Sequence, residues 1–285
     1  GLATAPFVAL QSLTDCEQDL SAYLPAIIKT ARFGYDGKGQ RTVYSAAEVQ
    51  QAFIDFKQQP CVLEKRLDLA LEVSVVLARN AAGQIASFPV SENQHINGIL
   101  HASIVPARIS ASFAATITQM AEQLIANLNY VGVLAVEFFV VNEGDAQSLS
   151  QHSHPRAQSV LINEIAPRPH NSGHYTLDAT ASSQFEQQVR MMCHLPPADT
   201  ALYRPVVMMN LLGDVWPAAQ TQNPNWATVL QNPQVKLYLY GKQTARIGRK
   251  MAHYNVLGDS AEQALQAAQS IFEGLMQEAS CAVKH

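Results

Sequence analysis

Two glutamates interrupt apolar runs of the sequence, where an ionised carboxylate needs a partner. Glu137 and Glu164 each lie among β-branched and aromatic residues, where an unpaired charge would be strongly unfavourable. If the two runs form neighbouring strands, the carboxylates, with Asn163 alongside, make a cluster of hard oxygen ligands suited to Mg²⁺ and substrate phosphates. The alternative is that each glutamate pairs with a nearby arginine such as Arg168.

A glycine-rich segment, Gly34–Gln40, follows five residues after Lys29. Its glycines permit positive φ and a close approach of the backbone to phosphate oxygens, while Lys29 and Lys38 supply positive charge. It is not a Walker A loop, because a glycine follows the lysine where Ser or Thr is required. We interpret it as a lid over a nucleotide, although an ordinary glycine-rich hairpin would share the composition. Lid and paired carboxylates together predict a site for ATP with Mg²⁺ or Mn²⁺.

A loop rich in proline and histidine, Pro167–His174, follows Glu164 directly. Its prolines and glycine favour neither helix nor strand. His170 and His174 are four residues apart but lack the glutamate and the helix of an H-E-x-x-H zinc site. Substrate contact is therefore the better interpretation. Arg168 could neutralise charge on a transferred phosphoryl group or pair with Glu164.

A second basic segment stands out in a chain of formal charge −4. Guanidinium forks and ammonium groups close to glycine backbone suit a phosphate monoester or a phosphoribose group. A solvated basic turn is the alternative. The residues concerned are Lys236, Lys242, Arg246, Arg249 and Lys250.

Composition limits the class of protein. A length of 285 residues with 48% hydrophobic residues predicts a folded protein of about two domains. The acidic balance argues against a nucleic-acid-binding surface. The four cysteines form no C-x-x-C pair and no apolar run approaches the ~18 residues of a membrane span. We expect a cytoplasmic protein without membrane partners.

The elements that must position these residues follow from periodicity and capping signals. We predict an α+β fold with helices on antiparallel strands and domains at 1–70, 71–199 and 200–285. Ser45 and Glu48 form a capping box. Leu71–Arg79 alternates like a half-buried strand. Predicted helices cover Thr14–Tyr23, Ser45–Lys57 and Ser112–Leu128, and further predicted strands cover Ala26–Lys29, Arg41–Tyr44, Cys61–Glu64, Val131–Val141, Ser159–Ile165, Val206–Leu212 and Val235–Tyr240.

Three strings together resemble the N5-carboxyaminoimidazole ribonucleotide synthetases, the ATPase-subunit type of AIR carboxylase in the ATP-grasp superfamily. They are Lys29 with the Gly34–Gln40 segment, Ile162–His174, and Gly248–His253. The resemblance spans nearly the whole chain. It implies two α+β lobes that clasp ATP, followed by a small β-rich C-terminal domain. It also implies a ligase of purine biosynthesis that uses ATP and bicarbonate to carboxylate 5-aminoimidazole ribonucleotide (AIR) through carboxyphosphate.

Carried onto this sequence, the resemblance implies roles for individual residues. Glu137 and Glu164 would bind the metal, and Glu64–Leu67 would read adenine. The residues assigned to ATP are Lys29, Gly34, Tyr35, Asp36, Gly37, Lys38, Gly39, Gln40, Glu64, Lys65, Arg66, Leu67, Glu72, His95, Asn163 and Glu164. Those assigned to the ribonucleotide and carboxyphosphate are Asp36, Arg168, His170, Asn171, Ser172, Arg246, Arg249 and Lys250, of which Asp36, Arg168, His170 and Lys250 would be catalytic.

The family places a Rossmann-like domain of roughly one hundred residues ahead of the Thr4–Phe7 string, whereas this sequence begins near that string. The resemblance therefore implies a homodimer whose dimer-forming domain is absent here. Two alternatives remain open at this point: a formate-dependent ligase of the glycinamide ribonucleotide transformylase type, and an ATP-binding module that lacks activity.

Overall fold

The computed structural model describes residues 2–32, 39–142, 159–216 and 223–281. The lid residues Gly34, Tyr35, Asp36, Gly37 and Lys38 lie outside the described residues. The chain divides into two compact units. Unit 1 comprises Gly1–Leu71, Asn97–Ile99 and Phe138–Asn163, and unit 2 comprises Glu72–Ile96, Leu100–Glu137 and Glu164–His285.

Unit 1 contains a four-stranded sheet in the order β1-β4-β2-β3. Its strand pairs are antiparallel. Helix α1 packs on one face, where Phe53 and Val49 are buried with Ile28 and Leu63. The elements are β1 (Phe7–Leu10), β2 (Ala26–Thr30), β3 (Gln40–Val43), α1 (Ala46–Asp55) and β4 (Cys61–Lys65).

The predicted capping box is confirmed. Ser45 Oγ accepts a hydrogen bond from the Glu48 N–H at 3.3 Å, and the Glu48 carboxylate accepts one from the Tyr44 N–H at 3.0 Å. These bonds satisfy backbone donors that the first helical turn leaves without partners. The sequence signal therefore located the start of α1 to the residue.

The helix predicted at Thr14–Tyr23 is wrong. Two short 3₁₀ turns, Thr14–Cys16 and Ser21–Tyr23, stand in its place. Asp15 Oδ2 accepts from two preceding backbone N–H groups at 2.7 and 2.8 Å, and Asp19 accepts from the Ser21 N–H at 3.0 Å. Such side-chain bonds to the backbone compete with a continuous helix.

A larger sheet runs in the order β10-β9-β5-β7-β8-β11-β13-β12, with β6 beside β5. Strands β5 and β7 pair antiparallel, as do β8, β11, β13 and β12 in succession. Its strands are β5 (Leu69–Arg79), β6 (Ile85–Ser87), β7 (Ser91–Ile96), β8 (Ile99–Val105), β9 (Gly132–Val141), β10 (Ser159–Ala166), β11 (Val206–Leu212), β12 (Val235–Leu239) and β13 (Lys250–Leu257).

Helices of unit 2 cover this sheet. Helix α6 packs on the β11 and β13 region through Leu265, Ile271 and Leu275. The helices are α2 (Ala111–Asn127), α3 (Thr176–Ala179), α4 (Gln184–Met192), α5 (Trp226–Leu230) and α6 (Ala261–Cys281). Across the described ranges, none of the helices has the length and apolarity to cross a membrane.

Strand β5 is not the half-buried strand that its alternation predicted. Ser74 is fully buried, as are Val73 and Val75. The strand lies between β9 and β7 in the interior of the sheet, where both faces are covered and polar residues must find internal partners.

Residues 200–285 group with the rest of unit 2, because β11 pairs with β8 as well as with β13. The domain boundary that we predicted near residue 200 is not a boundary between these two units, and it stays a prediction. The α+β class with antiparallel sheets is confirmed.

Candidate functional site

A cavity of about 300 Å³ lies in unit 1 beside the end of β4. Strand alternation puts Ile28 and Leu63 in the core and turns Lys29 and Glu64 to the opposite face. Lys29 Nζ forms an ion pair with Glu64 Oε1 at 2.8 Å. The cavity is lined by Ile27, Glu64, Lys65, Arg66, Leu67, Asp68, Leu69 and Phe139. All four residues predicted to read adenine thus line one cavity.

Glu72 and His95 meet in unit 2, on β5 and β7. His95 Nδ1 lies 3.1 Å from Glu72 Oε2. Burial alone would lower the pKa of His95, but the facing Glu72 carboxylate, with Glu137, raises it overall. The family resemblance implied that both residues approach one nucleotide, and the fold brings their side chains together.

The acidic cluster of unit 2 consists of Glu137 on β9, Glu164 on β10 and His170 in the following loop. Ligand-type atoms of all three lie within 4.8 Å of one another. Burial, and then the Glu164 carboxylate, raise the pKa of Glu137 to about 7. Two carboxylates that repel each other in a partly dry site are an arrangement that a cation stabilises.

Glu164 differs from its prediction in one respect: it is exposed rather than buried. It lies on β10, the last strand of the sheet order, whose other side is bridged at Ile162 by Thr4. Because successive side chains of a strand point to opposite faces, only one of Asn163 and Glu164 can face the cluster, and that residue is Glu164.

Arg168 does not supply the alternative partner. Within the described ranges it forms no ion pair with Glu164 or Glu137, and its guanidinium Nη1 donates to Pro169 O at 3.0 Å. Arg168 is exposed. Its charge nevertheless acts on His170, whose pKa is lowered to about 3, first by burial and then by Arg168.

His170 is held between the cluster and the core. Its Nε2 lies 3.4 Å from Glu137 Oε1, and its Nδ1 lies 2.9 Å from Ser172 Oγ. Ser172 is fully buried and bonds Ser74 Oγ at 2.9 Å. No part of Ser172 is available to a bound molecule, so the predicted direct contact between Ser172 and substrate does not fit this geometry.

The side chain of Asn171 is hydrogen-bonded to a buried residue of the sheet. Its side-chain amide exchanges two hydrogen bonds with Asn210 on β11, at 3.0 and 2.6 Å. Asn210 also donates to Leu100 O at 2.8 Å. The amide of Asn171 therefore anchors the loop to the sheet, and its assignment to substrate stays a prediction.

The basic segment forms a loop that returns to β13. Arg249 Nη1 donates to Thr244 O at 2.7 Å, and the Arg249 N–H donates to Arg246 O at 2.9 Å. Lys250 begins β13, and its charge contributes to the lowered pKa of His170 and of His174. Lys250 thus lies close to the loop that follows β10, whereas Arg246 is exposed on its own loop.

A group of rings beside this loop was not predicted from the sequence; its His253 is buried, and Tyr238, Tyr240 and His174 are half-buried. His253 on β13 stacks on Tyr238 at 4.7 Å and lies 4.8 Å from the ring of His174. Tyr240 Oη is 2.8 Å from His253 Nδ1. A histidine inside the apolar run of β13 was the available signal, of the same kind that identified Glu137.

The fold and the acidic cluster define a class. The family model of the ATP-grasp domain matches residues 1–185. The model of the phosphoribosylaminoimidazole carboxylase C-terminal domain matches residues 206–267. The chain, with its antiparallel α+β units and its carboxylates on adjacent strands, is therefore an ATP-grasp protein.

Relatives narrow the class. The chain is 38% identical over 267 residues to the N5-carboxyaminoimidazole ribonucleotide synthase of Bacillus subtilis (strain 168), covering 93% of this chain and 65% of that protein. It is 41% identical over 260 residues to the enzyme of that name from Brucella melitensis, covering 89% and 65%. The chain belongs to the family of N5-carboxyaminoimidazole ribonucleotide synthases.

Solved structures agree. An ADP complex of N5-carboxyaminoimidazole ribonucleotide synthetase has a TM-score of 0.81 at 39% identity, covering 98% of this chain and 69% of that one. The Aspergillus clavatus enzyme with ADP and 5-aminoimidazole ribonucleotide has a TM-score of 0.82 at 25% identity, covering 97% and 69%. The chain thus spans about 65% of the length of the two curated relatives named above.

Proposed function

We propose that this protein carboxylates the exocyclic amine of AIR with bicarbonate and ATP, giving N5-carboxyaminoimidazole ribonucleotide, ADP and phosphate. The observation that carries the proposal is the convergence of Glu137, Glu164 and His170 within 4.8 Å in a chain of this family. A bicarbonate oxygen would take the γ-phosphoryl group of ATP. The AIR amine would then attack the carboxyl carbon of carboxyphosphate, losing a proton as phosphate departs.

The nucleotide base is assigned to the cavity at Glu64–Leu67, whose apolar walls include Ile27 and Phe139. Its other walls include charged residues, so the cavity offers a planar base both apolar contacts and polar groups that could orient it. Lys29 is assigned to the phosphates, which requires that ATP compete with Glu64 for its ammonium group. Glu72 is assigned to the ribose of ATP, and His95 is assigned a position close to the nucleotide. Gly39 and Gln40 are the last two residues of the 34–40 lid, and β3 begins at Gln40.

A divalent cation fits the acidic cluster on the chemistry of its donors. Glu137 is buried, and its pKa is raised first by burial and then by Glu164, so a cation would stabilise the ionised carboxylate against both effects. Glu137 and Glu164 would hold Mg²⁺ or Mn²⁺. When bound, the ion would neutralise charge on the transferring phosphoryl group.

The ribonucleotide is assigned to basic groups near that cluster. Arg168 is exposed beside His170, and Lys250 begins β13 near the same loop. Arg249 and Arg246 are assigned to its phosphate, which guanidinium groups bind in a bidentate manner. Asp36 is assigned to the amine. Carboxyphosphate hydrolyses readily in water, so exclusion of water by the 34–40 lid forms part of the proposal.

The test is substrate dependence in the complete protein. Phosphate release from ATP should require both AIR and bicarbonate, and glycinamide ribonucleotide with formate should not replace them. Release that proceeds equally without AIR would overturn the proposal. Binding of Mg-ATP without turnover under any of these substrates would favour a binding module instead. The homodimer and the cytoplasmic location stay predictions.

A further inference from the structure

The imidazole of His170 has one nitrogen in the core and one at the acidic cluster. The Ser172 N–H donates to His170 Nδ1 at 3.3 Å, so the ring caps the short 3₁₀ turn Asn171–Gly173. A backbone N–H can only donate. Nδ1 therefore presents its lone pair to that group, which at 3.3 Å favours the tautomer with the ring proton on Nε2 without fixing it alone.

A second set of contacts agrees with this protonation. Asn93 Oδ1 accepts from Ser103 Oγ at 3.0 Å, and Asn93 Nδ2 donates to Ser74 Oγ at 2.9 Å. Because an amide nitrogen only donates, the single proton of Ser74 is directed to Ser172 Oγ at 2.9 Å. The proton of Ser172 is then directed to His170 Nδ1 at 2.9 Å.

This chain of hydrogen bonds is buried along its whole length. Ser74, Ser103 and Ser172 are fully buried, and Asn93 is 5% exposed. Water is therefore not available to reverse the direction of any bond. Unsatisfied hydroxyls at these positions would be costly, so each of the three serines depends on its partner within this chain of hydrogen bonds.

We propose that Ser172, supported by Ser74 and Asn93, is a positioning residue that locks His170 in the tautomer with its proton on Nε2. His170 is then a neutral hydrogen-bond donor directed at Glu137 Oε1, 3.4 Å away, and at groups bound beside it. It offers no lone pair on that side, so it neither ligates a metal nor removes the proton of the amine. The role in turnover rests on the proposed function.

The tautomer can be measured without substrate. The complete protein, labelled with ¹⁵N-histidine, is studied by NMR through the couplings between ring protons and ring nitrogens, with His170→Gln assigning the signal. Wild type should show only the Nε2–H form. Ser172→Ala should show a mixture of tautomers. The control Ser182→Ala, which removes an equally buried hydroxyl with two hydrogen bonds of its own, should leave His170 unchanged.

Activity gives the second measurement. Glutamine places its amide N–H near the position of Nε2, whereas asparagine places its amide near Nδ1. His170→Gln should keep kcat within about tenfold of wild type, and His170→Asn should lose about 100-fold or more, the scale of one lost transition-state donor. Ser172→Ala should lower kcat about tenfold without changing the KM for ATP.

Two results would overturn the inference: an Nδ1–H tautomer in wild type, or His170→Gln as inactive as His170→Asn, which would indicate a base or a metal ligand. If the proposed function is wrong, the result differs from either of these two. A locked Nε2–H tautomer in a protein whose ATP hydrolysis ignores AIR would support the lock and contradict the reaction.

Discussion

At the residue scale, two neighbouring histidines of unit 2, His253 and His174, act as neutral rings. Burial lowers the pKa of His253 to about 3 and that of His174 to about 4, and the neighbouring His174 adds to the effect on His253. Their surroundings are aromatic rings, with Tyr238 stacked on His253 at 4.7 Å. Packing of a neutral imidazole is therefore part of what stabilises this side of the sheet.

Replacement of His253 should change how stability depends on pH. Below about pH 6.5 the unfolded chain binds a proton at this histidine while the folded protein, with its pKa near 3, does not, so wild type loses stability as the pH falls. Each such group contributes about 2 kcal/mol between pH 6.5 and pH 5. His253→Gln should show a shallower loss in urea unfolding. Equal slopes below pH 6.5 would contradict this, and slopes above pH 7.5 should agree in both proteins.

Glu164→Gln should weaken metal binding without unfolding the protein. Glu164 is exposed, so its neutralisation has little effect on packing, but it removes one of two oxygen anions from the cluster. We expect Mn²⁺ affinity, measured by calorimetry, to fall about tenfold or more, with turnover lost. The exposed Glu186→Gln, whose carboxylate pairs with Arg190, is the control. Unchanged Mn²⁺ affinity in Glu164→Gln would remove that residue from the metal site.

The two glutamates of the acidic cluster could be predicted from the sequence, but the buried hydrogen bonds behind the cluster could not. Glu137 and Glu164 stand out because a charge in an apolar run needs an explanation. Ser172 and Ser74 are 98 positions apart, and nothing in their local sequence indicates that they meet. Their contact depends on the order of the strands, which places β5 in the interior of the sheet.

At the element scale, the loop that carries Arg246 and Arg249 is held by the end of β11. The Gly213 N–H donates to Arg249 O at 2.9 Å, and Asp214 Oδ2 accepts from the Gly248 N–H at 3.3 Å. A Cβ on Gly213 would lie 2.1 Å from Arg246 O. The close approach of two backbones requires glycine here, and it fixes the basic loop from behind.

Gly213→Ala should therefore displace the basic loop. The new methyl group would push away the backbone of Arg246, to which the Arg249 N–H is hydrogen-bonded. We expect this to lower the free energy of unfolding by about 1–3 kcal/mol. We expect the KM for AIR to rise about tenfold while the KM for ATP stays within twofold. Gly274→Ala in α6, whose Cβ would meet only a Thr228 methyl group at 3.1 Å, is the control. An unchanged KM for AIR in Gly213→Ala would separate the loop from substrate binding.

Elements with strong local signals matched the structure, and those defined by distant pairing did not. Strand β11 has the predicted bounds Val206–Leu212, and α1 begins after its predicted cap. Strand β7 was not predicted, since Ser91–Ile96 is mostly polar and is buried only by its neighbours. Strand β13 begins at Lys250, inside the basic segment that was interpreted as a phosphate-binding segment, with a solvated turn as the alternative.

At the scale of the whole molecule, the two units hold different parts of the proposed chemistry. Unit 1 contains the cavity at Glu64–Leu67 and the ion pair of Lys29. Unit 2 contains the acidic cluster, the Glu72 and His95 pair, and the basic loop. Each unit thus has a hydrophobic core of its own that supports the groups it carries.

The most direct test of the account is phosphate release from Mg-ATP by the complete protein, measured with AIR and bicarbonate each present or absent. We expect release that needs both substrates, is lost in Glu164→Gln, and yields the acid-labile carboxylated amine in proportion to ADP. Release of the same rate without AIR, or with formate and glycinamide ribonucleotide in its place, would contradict it.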